Sequence, residues 1–100
     1  MIPKVLQKSK RKIAEICRKY EIRELSLFGS QVRGDYHENS DFDFLVEFQP
    51  NAEIDYFELF DIQEELEKVI QKKVDLVSKR GLKKFVQQQI LAEAEVIYAL

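Results

Sequence analysis

Gly29-Ser30-Gln31-Val32-Arg33-Gly34, followed after a short spacer by Ser40-Asp41-Phe42-Asp43-Phe44-Leu45-Val46, is the stretch from which the rest of this chain is read. Just ahead of it, Glu24-Leu25-Ser26-Leu27-Phe28 alternates in polarity and predicts a short strand ending in a tight turn at Gly29. Backbone that approaches a phosphate tolerates no Cβ, so Gly29 suits such a turn, and Ser30 adds a hydroxyl donor beside the backbone N–H groups. Gln31 to Tyr36 reads as a short helix. Arg33, about one helical turn beyond Ser30, has the chemistry to bind phosphate or to lock the loop against Asp35 or Asp41. Gly34 allows a second tight turn.

Phe42 to Phe48 is nearly continuous in apolar character, which predicts a central strand, ended by Gln49-Pro50-Asn51. Alternate strand residues share a face, so Asp41 and Asp43 point one way while Phe42 and Phe44 point the other. Two carboxylates so placed repel each other unless a cation lies between them. Magnesium, which takes octahedral oxygen coordination from carboxylates, phosphates and water, meets that demand. Val74-Asp75-Leu76-Val77 predicts a third strand, parallel to the second by the usual crossover rule. A charge at Asp75 among apolar neighbours is costly unless it is paired or coordinating. With the third strand beside the second, Asp75 completes a triad of the kind that phosphoryl and nucleotidyl transfer use to hold metal and to activate an incoming hydroxyl.

Outward from this centre, Pro3 suits a first helical turn, and Leu6, Ile13, Ile16, Cys17 and Tyr20 continue at helical spacing to Lys19 or Tyr20. Between Ile54 and Ile70, the positions Leu59, Ile62, Leu66 and Val69 mark the inward stripe of the longest helix, with Phe57, Phe60 and Ile70 widening it. Leu82 to Ala94 predicts a last helix packed through Phe85, Val86, Ile90 and Leu91. Val96-Ile97-Tyr98 reads either as an extended edge or as a fraying helix end.

A chain of 100 residues is one domain, 1–100, too short for a catalytic domain plus a substrate domain. No apolar stretch approaches the roughly 20 residues that cross a bilayer, and the basic, amphipathic start differs from a signal peptide, so a cytoplasmic location is expected. One cysteine and one histidine exclude a Cys- or His-based zinc site, so a metal would be held by oxygen. Cys17 reads as a core thiol. The net charge of −2 conceals a segregation: twelve Asp or Glu and no Lys or Arg fall between Asp35 and Glu67. That block argues against nucleic acid on this face and would attract divalent cations or a basic protein through residues such as Glu58, Asp61 and Glu65. Lys79, Arg80, Lys83 and Lys84 form a small basic cluster after the third strand.

Gly29-Ser30-x-x-Arg33-Gly34, the spacer, Ser40-Asp41-x-Asp43 and the later Asp75 resemble the minimal nucleotidyltransferases of the DNA polymerase β superfamily. The resemblance is closest to the MntA-type antitoxins that accompany HEPN-domain toxins, and it covers nearly the whole chain. It implies an α/β (α+β) polymerase β-like nucleotidyltransferase fold, a small mixed sheet flanked by helices. It also implies ATP with Mg²⁺ and transfer of AMP to a tyrosine hydroxyl of a cognate HEPN ribonuclease toxin, thereby neutralising it. Carried over, Gly29, Ser30 and Arg33 bind nucleotide, Asp41 and Asp43 bind metal, and Asp75 is base or third ligand. Two other functions remain open: neutralisation by binding alone, and nucleotidyl transfer to a different acceptor.

Overall fold

In the computed structural model, which describes residues 2–34 and 40–100, the chain runs α1 (Lys4–Lys8), α2 (Lys10–Lys19), β1 (Ile22–Phe28), α3 (Ser30–Arg33), β2 (Phe42–Phe48), α4 (Tyr56–Ile70), β3 (Val74–Ser78), a 3-10 turn (Lys79–Gly81), α5 (Lys84–Glu93) and β4 (Glu95–Ala99). The strands form a mixed sheet in the order β3-β2-β1-β4. The apolar run Phe42–Phe48 is central, as expected, antiparallel to β1 and parallel to β3. The ambiguous final segment is an edge strand antiparallel to β1. No helix among the described residues is long and apolar enough to cross a membrane.

Alternation along the strands sorts their side chains into two layers. Leu25 and Leu27 of β1 lie opposite Val46 and Phe44 of β2, and Val74 and Leu76 of β3 lie opposite Phe42 and Phe44. These residues meet Ile13, Ile16 and Cys17 of α2 and Ile62, Leu66 and Ile70 of α4 in one buried core. The opposite face carries Phe28, Asp43 and Asp75 in one row and Ser26, Leu45 and Val77 in the next. Burial pushes the Cys17 thiol up to about 12, against a small opposing effect of Arg18, and makes it an inert core group.

The expected first helix is two helices. Ser9 departs from helical backbone (φ −97°, ψ 8°), yet its N–H donates to the Val5 carbonyl and its carbonyl accepts from Ile13, so the segment bends without losing its hydrogen bonds. In α4 the cap is Asp55, whose carboxylate accepts the Glu58 N–H at 2.9 Å. Its inward stripe is narrower than expected, because Phe57 and Phe60 are 83% and 59% exposed. Ile62, Leu66 and Ile70 are buried against the sheet with Leu59 and Val69 packed beside them, and the two aromatics stay outside this stripe. Likewise Phe85 and Leu91 of α5 are 69% and 46% exposed, and α5 buries no side chain fully. At the β3 edge, α4 supplies acceptors: Glu67 takes the Val74 N–H at 3.0 Å and Gln63 the Leu76 N–H at 3.3 Å.

Between α2 and α4, the Tyr20 hydroxyl donates to Glu65, which also receives Lys19 Nζ at 3.2 Å. Glu65 thus has partners within the fold, which the sequence reading of it as part of an acidic face did not include. That hydrogen bond, with burial and nearby carboxylates adding to it, pushes the Tyr20 phenol up to about 12. The same bond, helped by Lys19, holds Glu65 below its ordinary value. A raised phenol contributes its full stability below its unfolded value of 10.0 and loses it as pH rises towards about 12. A lowered carboxyl contributes above its unfolded value of 4.5 and loses that contribution as pH falls through its folded value. Tyr20→Phe is therefore expected to cost about 1 kcal/mol at neutral pH and to flatten the stability profile at both extremes, read as Tm against pH.

Candidate active site

At the end of β1 the chain turns at Gly29, whose φ of 81° and ψ of −155° lie in a region that only glycine occupies readily. The reason for the glycine is also steric. A Cβ at this position would lie 3.2 Å from Asp43 Cγ and nearer still to Oδ2. Asp43 is therefore packed directly over the turn, as the antiparallel pairing of Phe28 with Asp43 requires. After Gly29 the chain enters α3, whose third and fourth residues, Val32 and Arg33, donate backbone N–H groups to the Gly29 carbonyl at 3.1 Å. The helix is shorter than expected. Gly34 closes it in the left-handed conformation at φ 86°, and Asp35 and Tyr36 lie outside the described residues.

Across the sheet, the parallel register sets Asp43 directly opposite Asp75. Asp41 stands two residues before Asp43, at the mouth of β2, half-buried like Asp43 itself. Asp75 is exposed, so the desolvation cost expected of it from sequence does not arise. Its apolar neighbours Val74 and Leu76 face the core, whereas Asp75 lies on the opposite face, where it is exposed. Asp43 feels the cluster: burial pushes its carboxyl above the ordinary value, the Asp75 and Asp41 charges add to this, and Arg33 opposes it.

These groups fit a divalent cation by their chemistry. The set is all oxygen, and the mutual repulsion registered at Asp43 is what a bound cation relieves. Among the described residues, no three His, Cys, Asp or Glu side chains are placed so that they could hold a metal ion by themselves. Magnesium sites of this kind are completed by substrate phosphates and water in addition to one or two carboxylates.

Arg33 has a partner that local sequence does not announce. Its Nη1 donates to both carboxylate oxygens of Glu93, at 3.2 and 3.1 Å, and the Gly29 N–H donates to Glu93 Oε1 at 3.2 Å. The only signal that could have found Glu93 is long-range: the register Leu27↔Glu95, carried two residues further on each chain segment, sets Glu93 opposite Gly29. The basic cluster after β3 is divided. Lys79 reaches Glu47 at 3.5 Å, and Gln87 braces the 3-10 turn through the Lys79 and Leu82 carbonyls. A cleft of about 380 Å³ between Arg23, Phe48, Pro50, Leu59 and Arg80 lies at the far end of β2 and includes none of the candidate residues.

Residues 11–100 match the family described as Polymerase beta, Nucleotidyltransferase. The protein adenylyltransferase MntA of Thermococcus cleftensis is 36% identical over 84 residues, covering 84% of this chain and 81% of that one. Among solved structures, a toxin–antitoxin with AMP-PNP superimposes with a TM-score of 0.75 at 25% identity, covering 91% of this chain and 73% of that one. A tri-AMPylated Shewanella oneidensis HEPN toxin in complex with an MNT antitoxin gives a TM-score of 0.70 at 21% identity, over 95% of this chain and 73% of that one. The last is a likeness of fold.

Proposed function

Because this chain belongs to the polymerase β nucleotidyltransferase family, we propose that it is a cytoplasmic antitoxin of the protein adenylyltransferase type, which transfers AMP from Mg-ATP to a tyrosine hydroxyl of a cognate HEPN ribonuclease toxin and so neutralises it. The observation that carries this reading is Asp43 itself, packed over the Gly29 turn on one side and opposite Asp75 on the other. A triphosphate held at that turn is adjacent to the carboxylates, which is the proximity that nucleotidyl transfer needs.

In this reading Gly29, Ser30 and Arg33 bind the triphosphate: the glycine by admitting it closely, the serine by its hydroxyl, and the arginine by its guanidinium. Asp41 and Asp43 would hold Mg²⁺, and Asp75 would complete the site as third ligand or as base. When bound, the ion supplies charge that offsets the three carboxylates and the triphosphate. The tyrosine oxygen forms a bond to the α-phosphorus as the bond from that phosphorus to the bridging oxygen breaks, and pyrophosphate leaves. The hydroxyl proton passes to a carboxylate, for which exposed Asp75 is the accessible choice. The exposure of Asp75 leaves this end of the row accessible to a protein acceptor, although Ser26 and Leu45 in the next row are buried.

The test is intact mass spectrometry of the cognate HEPN toxin after incubation with this chain, ATP and Mg²⁺. A gain of one or more AMP units is expected. A stable complex with no mass gain would favour neutralisation by binding alone.

A further inference from the structure

We infer that Glu93 is a positioning residue of the nucleotide turn, tying Gly29 and Arg33 together from across the sheet so that the turn keeps the shape that receives a triphosphate. The inference rests on the nucleotide reading of that turn given above. Glu93 ends α5, and Ala94 passes directly into β4, whose pairing with β1 places Glu93 beside Gly29. The backbone pairing runs to Leu27↔Glu95, and Glu93, the last residue of α5, lies just beyond it, where its carboxylate meets the Gly29 N–H.

From that position one carboxylate serves two points of the turn. Oε1 accepts from the Gly29 N–H and from Arg33 Nη1, and Oε2 accepts from the same Nη1. Gly29 is thus held between Glu93, bonded to its N–H, and Asp43, packed over its Cα. Its backbone conformation is one that few residues adopt, and an acceptor aligned with its N–H favours that conformation over others. Arg33 is fixed at the same time. A long cationic side chain without such an anchor samples many rotamers, and that freedom is lost when it binds phosphate.

The Glu93–Arg33 pair is open to solvent, with the two side chains 29% and 50% exposed. Exposed pairs contribute little to stability. Loss of Glu93 should consequently alter nucleotide binding much more than folding, which separates positioning from a merely structural role.

The experiment is isothermal titration of wild type, Glu93→Ala and Glu93→Gln with MgATP, alongside thermal melts and initial-rate kinetics. Glu93→Ala is expected to bind MgATP about tenfold more weakly, with the change in KM for MgATP and with Tm nearly unchanged. Glu93→Gln is expected to recover part of the loss, since its amide oxygen can accept the Gly29 N–H without forming the ion pair. Equal binding by wild type and Glu93→Ala would overturn the inference. Tighter binding by Glu93→Ala would also overturn it, by making the carboxylate a competitor of phosphate. Wild type that binds no MgATP would overturn the nucleotide reading itself, and the inference with it.

Discussion

Asp43→Asn is expected to lower AMP transfer on the order of 10³-fold or more while leaving the fold intact and slightly more stable in the absence of divalent metal. The two effects share one cause. Asp43 is the carboxylate closest to both the Gly29 turn and Asp75, so its charge is the one most needed to hold a cation there. Without a cation that same charge is unfavourable, because burial and the Asp75 and Asp41 carboxylates all act against it. Asparagine keeps the size and removes the charge. The expected gain is about 1 kcal/mol or less, read as a higher Tm in EDTA. Adding Mg²⁺ should raise Tm for wild type and leave the variant unmoved, since only a protein that binds the ion is stabilised by it. Full transfer by the variant would remove Asp43 from its assigned role.

Gly29→Ala should damage both stability and nucleotide binding. Alanine at φ 81°, ψ −155° costs on the order of 1–3 kcal/mol from backbone strain. Its methyl would also be driven against the Asp43 carboxylate, and either the turn or the carboxylate must then move. Gly34→Ala provides the contrast. That residue also has a positive φ, of 86°, but a Cβ there meets nothing within 4 Å. Its cost is expected to be limited to roughly 1 kcal/mol of left-handed backbone, with MgATP affinity retained. Thermal melts and MgATP titrations on the two variants should therefore diverge in affinity more than in Tm. A Gly29→Ala protein with wild-type affinity would show that the turn tolerates a side chain and would separate it from phosphate binding.

What could be read from sequence was local or periodic. Strand alternation put Asp43 on the face opposite Phe42 and Phe44, and the crossover rule set β3 parallel to β2, which brings Asp75 opposite Asp43. Features set by distant segments were less legible. The width of the apolar stripe on α4 depends on how much of that helix the sheet can cover, a property of the sheet and not of α4, and Phe57 and Phe60 were misjudged accordingly. The exposure of Asp75 escaped for a related reason: its apolar neighbours along the chain face the other side. Glu93 was invisible because an ordinary glutamate in a helical stretch acquires its role only through the β1–β4 register, and Val96-Ile97-Tyr98 alone does not fix that register.

The bond from Gly29 to Glu93 spans 64 residues of sequence. Contacts between segments so far apart form only after a long loop has closed, and chains rich in them fold slowly. During synthesis the turn, Asp41 and Asp43 leave the ribosome well before the glutamate that ties the turn down. A nascent chain therefore exposes the Gly29 turn and the acids beside it before it has the glutamate that ties the turn down, and that tie arrives only as β4 does.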